Sequence, residues 1–181
     1  MVKDKLLVWK FRKGDEDALR RIYDRYKDDL LTIAFCLLCK IDDAAEVLHD
    51  VFLSFAGNAG EFHLYGGLRS YLTTCVVSSV HKRLYSQMYE VIETRSGVQE
   101  AGPHLQEARE TVFDDEQTER LTKALSRLPI RQREVIVMHL QGRMQFREIA
   151  KLQNISTNTA RNRYRYGLEE LLSNLGREAT E

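Results

Sequence analysis

The sequence has little of what several classes of protein require. Its 181 residues include only three cysteines and two prolines. Three cysteines are too few for a disulfide-rich scaffold, and one C-x-x-C pair does not supply the four ligands of a structural zinc site. No apolar run reaches the roughly eighteen residues of a membrane helix, and the one near the N-terminus is too short for a signal peptide. We therefore expect no membrane insertion and a reducing, cytoplasmic location.

The motifs of common enzymes are missing as well. The sequence contains no phosphate-binding loop, no G-x-S-x-G and no H-E-x-x-H, no catalytic paired-carboxylate arrangement is apparent, and its five histidines are scattered. We expect no catalytic activity, no cofactor and no bound metal. The C-x-x-C pair Cys36 and Cys39 leaves a thiol or zinc sensor open as an alternative.

Helical periodicity, in contrast, runs through most of the chain. Apolar residues recur three or four apart in three N-terminal stretches, residues 19–37, 44–55 and 68–86. The pattern lapses over 89–113 and resumes up to the C-terminus, and no stretch predicts a strand. The sequence thus predicts an all-α fold of two small helical domains, 1–88 and 114–181, joined by a flexible linker over 89–113.

Charge is distributed unevenly although the net charge is zero. Residues 1–95 are neutral, residues 96–119 carry −6 and residues 120–181 carry +6. A basic module of this kind is typical of nucleic-acid binding, although a solvated basic surface would look the same from charge alone.

The stretch from Phe146 to Leu175 has the spacing of a helix-turn-helix, with "QNIS" as the turn. In its second helix an apolar stripe holds the helix to its domain, and a polar stripe points away from it. Arginine can form hydrogen bonds with guanine and asparagine with adenine, and the methyl group of threonine can contact the methyl group of thymine. Arg163 is predicted to project sideways, where the phosphates would lie. The predicted DNA-binding residues are Thr157, Asn158, Thr159, Arg161, Asn162, Arg163 and Arg165.

Several segments together resemble a known family. "LTKALSRLPIRQREVIVMHL" and "REIAKLQNISTNTARNRYRYGLEELL" resemble domain 4 of bacterial RNA polymerase sigma factors of the sigma-70 superfamily, in particular the extracytoplasmic-function (ECF) type. "GDEDALRRIYDRY", "AAEVLHDVFLSF" and "LRSYLTTCVVSSVHKRL" resemble successive parts of domain 2. The resemblance covers nearly the whole chain apart from the linker.

By this resemblance the protein binds core RNA polymerase and directs it to specific promoters. The C-terminal domain would read the −35 element as duplex, and the N-terminal domain would bind the −10 element partly as single strand, which small polar, aromatic and cationic side chains suit. The implied −10 residues are Ser70, Thr74, Ser78, His81, Lys82, Arg83 and Tyr85. The implied polymerase face is Glu46, His49, Asp50 and Leu53, and an anti-sigma factor is a further partner. The chain departs from the family's usual residues at Tyr71, Ser78, Lys82 and His49.

Two interpretations remain beside this one. A stand-alone helix-turn-helix regulator would use the same DNA-reading helix without polymerase, and the thiol sensor would use Cys36 and Cys39. We also hypothesise that in the free protein the acidic linker and the N-terminal domain partly cover the basic recognition helix.

Overall fold

The computed structural model describes residues 2–60, 62, 64, 66–93 and 116–178. Within these residues the chain forms eight α-helices and no strand, which confirms the all-α prediction. The predicted linker lies outside the described residues apart from its first five, which continue a helix. No helix among the described residues is long and apolar enough to cross a membrane.

Four helices make up the N-terminal domain. Asp15 precedes the second of them, and its side chain accepts a hydrogen bond from the Ala18 N–H at 3.1 Å, as an N-cap residue does. The first helix was not predicted from the sequence. The four are α1 (Val2–Arg12), α2 (Glu16–Leu38), α3 (Ile41–Gly57) and α4 (Leu68–Glu93).

The core of this domain forms around the apolar stripe of α2. Ile22, Leu30 and Ile33 are fully buried there, and burial of each such side chain contributes about 1.5–3 kcal/mol. At one end, Phe11 of α1 stacks on Phe55 of α3 with ring centroids 4.5 Å apart. This aromatic contact explains why α1 folds onto the domain.

Four further helices make up the C-terminal domain: α5 (Glu116–Ser126), α6 (Ile130–Leu140), α7 (Phe146–Leu152) and α8 (Thr157–Glu178). An aromatic cluster joins three of them. His139 of α6 stacks on Phe146 of α7 at 4.2 Å, and both meet the Tyr164 ring of α8 edge-on. The cluster fixes the angle between α7 and α8, because aromatic pairs favour a limited set of geometries.

The two domains are docked against each other. Arg133 of α6 donates to the backbone carbonyl of Leu37 at 2.8 Å, and the Cys39 thiol donates to the carbonyl of Thr122 at 3.7 Å. One cluster of buried apolar residues runs from the N-terminal domain into α6, α7 and α8. The periodicity of the sequence did not predict this contact.

Candidate nucleic-acid interface

The predicted helix-turn-helix is present as α7, a short turn and α8. Asn154 takes a left-handed conformation with φ of 52°, which asparagine tolerates better than most residues. The Ile155 N–H then donates to the Ala150 carbonyl at 2.9 Å. Ser156 begins the second helix, because its hydroxyl accepts from the Thr159 N–H at 3.0 Å. Ala160 is fully buried, so α8 sits close on α7.

The predicted reading face of α8 is open to solvent. Five of its seven predicted side chains are exposed: Asn158, Thr159, Arg161, Asn162 and Arg165. Thr157 is half-buried at the start of the helix. The face therefore offers two guanidinium groups and two amides within the first turns of the second helix, the part that enters the major groove in this motif.

Arg163 differs from the other predicted contacts. It is half-buried, and its Nη1 donates to Gln153 Oε1 at 2.8 Å. In this arrangement the guanidinium ties α8 to the turn through Nη1. While Nη1 donates to Gln153, a phosphate could be contacted only by the remaining N–H groups of Arg163.

A groove of about 690 Å³ lies beside the recognition helix. Arg147 lines it from α7 and Arg161 lines it from α8, together with Thr157 and His139. The sequence analysis did not predict Arg147 as a DNA contact. The feature that could have indicated it is an exposed cation in the first helix of the motif. Two guanidiniums on one groove suit the DNA backbone, since phosphates take most of the hydrogen bonds in such complexes.

Five of the seven predicted −10 residues of α4 fall into two groups. Ser78, Lys82 and Tyr85 are exposed, and Tyr85 is 55% exposed. Ser70 and Thr74 are half-buried, and the Thr74 hydroxyl donates to the Ser70 carbonyl at 2.8 Å. The three exposed residues are therefore accessible to a DNA single strand without any rearrangement of α4.

The other two −10 residues already have protein partners. Arg83 forms ion pairs of 2.6 Å with Asp43 and with Glu46 of α3. His81 Nε2 pairs with Glu134 Oε1 of the C-terminal domain. The acidic residues that pair with Arg83 and His81 are distant from them in the sequence, so local patterns did not predict these pairs.

The predicted polymerase face lies on α3, opposite its buried stripe. His49, Asp50 and Leu53 are exposed, and Leu53 is 58% exposed. Glu46 is half-buried and bound to Arg83. The four residues lie on one face of α3, and Leu53, nearest the C-terminal end of the helix, is the apolar side chain among them.

The cysteine pair lies at the contact between the domains. Burial raises the pKa of the Cys36 thiol to about 11. Burial also raises the pKa of Cys39, while the neighbouring Arg133 lowers it in part. Protonated thiols are poor nucleophiles and poor metal ligands. Among the described residues no three histidine, cysteine or acidic side chains group as metal ligands would.

The hypothesis of a covered recognition helix is wrong for the N-terminal domain. Asn158, Arg161 and Arg165 remain exposed although the domains are docked, because the contact runs through α6 and the α5–α6 region. The acidic linker over 96–115 lies outside the described residues.

Comparisons with known proteins agree with this geometry. Residues 118–171 match the family model of Sigma-70, region 4. Over 174 residues the chain is 22% identical to the ECF RNA polymerase sigma factor SigW of Bacillus subtilis (strain 168), across 91% of this chain and 92% of that protein.

Two solved structures share the fold. One is the sigma factor RpoE in complex with the anti-sigma factor NepR from Bartonella quintana, with a TM-score of 0.68 and 18% identity over 87% of this chain and 96% of that one. The other is CnrH in complex with the cytosolic domain of CnrY, with a TM-score of 0.64 and 17% identity over 96% and 97%.

The C-terminal domain is therefore a sigma-70 region 4 domain with a helix-turn-helix. Over nearly its whole length the chain resembles sigma factors of the ECF type, and the resemblance stated from the sequence is confirmed.

Proposed function

We propose that the chain is a sigma factor that binds core RNA polymerase and directs transcription initiation at specific promoters. The observation that carries this function is the exposed reading face of α8, set on a region 4 domain at residues 118–171. Residues 114–181 form the −35 domain and residues 1–88 the domain for polymerase and the −10 element. The protein acts without catalytic groups of its own, in the cytoplasm, where polymerase works.

Reading of the −35 element is assigned to the exposed residues of α8. Arg161 and Arg165 present donors for guanine, and Asn158 and Asn162 present an acceptor and donors for adenine. Thr157 and Thr159 flank them at the start of the helix. Arg147 on the neighbouring groove adds a contact to the phosphate backbone.

Binding of polymerase is assigned to the outer face of α3. Leu53 is the exposed apolar residue of this face, and His49 and Asp50 lie one turn before it. Buried apolar centres with polar surroundings account for most of the binding energy at protein interfaces. We assign the −10 strand to α4, where Tyr85 supplies a stacking surface and Lys82 a cation.

An anti-sigma factor is the further partner in this proposal. One solved neighbour, RpoE, is in complex with the anti-sigma factor NepR, and the other, CnrH, is in complex with the cytosolic domain of CnrY. Because the fold of this chain matches both neighbours over most of their length, we propose a similar protein partner.

Copurification and site selection test the assignment. The full chain should retain core polymerase on an affinity resin, and a charge reversal, Asp50→Arg, should abolish retention while helical circular dichroism stays unchanged. A matched control is Asp24→Arg on an exposed position of α2. Selection from random duplex DNA should yield one −35 consensus. A chain that selects a consensus but never retains polymerase would instead be a stand-alone regulator.

A further inference from the structure

The turn of the helix-turn-helix contains a polar side chain that binds in two directions. Gln153 caps the C-terminal end of α7. Its Oε1 accepts from Arg163 Nη1 of α8 at 2.8 Å, and its Nε2 donates to Glu134 Oε2 of α6 at 2.6 Å. We infer that Gln153 is a positioning residue of the −35 interface, which holds the Arg163 guanidinium so that its remaining N–H groups meet one phosphate of the DNA backbone. The naming of this interface rests on the proposed function.

Glu134 fixes the orientation of the Gln153 amide. The Glu134 side chain is fully buried, and a buried carboxylate requires hydrogen-bond donors. A glutamine side chain has its donors on the amide nitrogen and its acceptor on the carbonyl oxygen. The nitrogen of Gln153 therefore faces Glu134, and the carbonyl oxygen is left to face α8. Arg163 complements that oxygen, because a guanidinium group has donors and no acceptor.

Other side chains of similar length could not make both contacts. A glutamate at position 153 would accept from Arg163 but would place a second carboxylate beside Glu134. A lysine there would pair with Glu134 but would repel the guanidinium, and a methionine would form neither hydrogen bond. Because the neutral amide lies between the two charged groups, Arg163 is anchored without using a carboxylate that would compete with a phosphate.

The remaining N–H groups of Arg163 are accessible. The side chain as a whole is half-buried. Its Nε and Nη2, however, form no hydrogen bond with any described residue and are in contact with solvent. Around α8, Arg163 lies roughly 100–140° from Asn162 and Asn158 of the base-reading face. A side chain on the flank of that face suits the phosphate backbone, which receives most of the hydrogen bonds in such complexes.

Anchoring of the guanidinium before DNA arrives should strengthen the phosphate contact. A free arginine side chain loses rotamer freedom when it binds a phosphate, and a side chain that is already held loses less. We therefore expect loss of the Gln153 hydrogen bonds to weaken DNA binding about three- to tenfold. Because phosphate contacts carry no sequence information, the loss should be equal on the selected −35 site and on a duplex of scrambled sequence.

Duplex affinities of full-length variants test the inference. Gln153→Met keeps the size of the side chain and removes both hydrogen bonds. It should bind both duplexes about three- to tenfold more weakly and select the same −35 consensus as the unmodified protein. The matched control is Gln117→Met at an exposed position of α5, which should bind both duplexes within about twofold of the unmodified protein. If Gln153→Met loses helical circular dichroism, Gln153→Asn takes its place, since the shorter amide cannot reach both partners.

A double-mutant cycle identifies the residue through which Gln153 acts. Once Arg163 is replaced by alanine, Gln153→Met should change duplex affinity by less than about twofold. Duplexes with single methylphosphonate substitutions locate the phosphate. One neutralised phosphate should weaken binding of the unmodified protein severalfold and leave binding of Arg163→Ala unchanged, because that contact is already missing.

Three results would overturn the inference. The Gln153 variant could bind both duplexes as tightly as Gln117→Met, or its loss could persist in the Arg163→Ala background. A loss confined to the −35 site would mean that α8 has tilted and that Gln153 only maintains the fold. Failure of the proposed function would look different, because polymerase retention would be absent while the coupling between Gln153 and Arg163 on duplex DNA remained.

Discussion

The side chain of Arg133 joins three separate segments, and we expect its replacement by lysine to be costly. Nη1 donates to the Leu37 carbonyl at 2.8 Å, and Nη2 donates to the carbonyls of Ser126 at 2.9 Å and Leu128 at 3.2 Å. Arg133 thus holds the α5–α6 turn and the end of α2 at once. Lysine keeps the charge, but its single ammonium group cannot reach all the acceptors that the two ends of the planar guanidinium group contact.

The size of the effect follows from the bonds that are lost. We expect lysine to keep one of the three carbonyl contacts and to lose about two. Hydrogen bonds from a charged donor contribute about 1.5–3 kcal/mol each, and partial rehydration reduces the loss to about 2–4 kcal/mol in total. For a chain of this size that corresponds to a melting temperature lower by roughly 5–15 °C.

Thermal unfolding followed by circular dichroism measures this shift. The matched control is Arg147→Lys, a change of the same kind at an exposed position, which should melt within about 1 °C of the unmodified protein. If Arg133→Lys and Arg147→Lys have the same melting temperature, the guanidinium group of Arg133 does not hold the two domains together and the hydrogen-bond reasoning is refuted.

Three further outcomes are expected. Arg161→Ala should weaken binding to the selected −35 site by about 1–3 kcal/mol and relax one base position, whereas Arg177→Ala at the far end of α8 should leave the consensus unchanged. Leu53→Glu should abolish retention of core polymerase without loss of helicity, because the side chain is exposed. Burial raises the pKa of Cys36 to about 11, so the folded state keeps a proton that the unfolded state releases near pH 9. The free energy of unfolding should therefore fall as the pH rises from 9 to 11. In Cys36→Ala this fall should be less steep.

Each of these has a contradicting result. An unchanged consensus for Arg161→Ala would mean that α8 faces the groove differently. Retained polymerase in Leu53→Glu would place the partner surface elsewhere. A urea-unfolding midpoint with the same pH dependence in Cys36→Ala and in the unmodified chain would show that the buried thiol is not the titrating group.

Much of the fold could be predicted because helical periodicity reports which side of a helix is buried. The stripe of Ile22, Leu30 and Leu37 in α2 is buried as predicted. Helix α1 could not be predicted in the same way. Its inward residues Val8 and Phe11 form a single pair one turn apart, and the helix is held by stacking on Phe55, which is distant in sequence.

The reading face of the candidate site could also be predicted, since the motif fixes which residues of α8 point outwards. What periodicity cannot give is the identity of a distant partner. His81 lies off the apolar stripe of α4 and was predicted to face DNA, yet it pairs with Glu134 of the C-terminal domain. Glu134 itself gave no signal beyond a carboxylate that directly precedes the apolar run "VIVM" of α6. Its pairing with His81 depends on docking between domains, which local sequence does not encode.

Run-off transcription with purified core polymerase on genomic fragments tests the central claim most directly. We predict that the chain directs transcripts from defined start sites that share a −35 and a −10 element, and that Leu53→Glu abolishes them while −35 duplex binding is retained. Core polymerase that starts at the same sites without the chain, or a chain that binds those fragments and yields no specific transcript, would contradict the account.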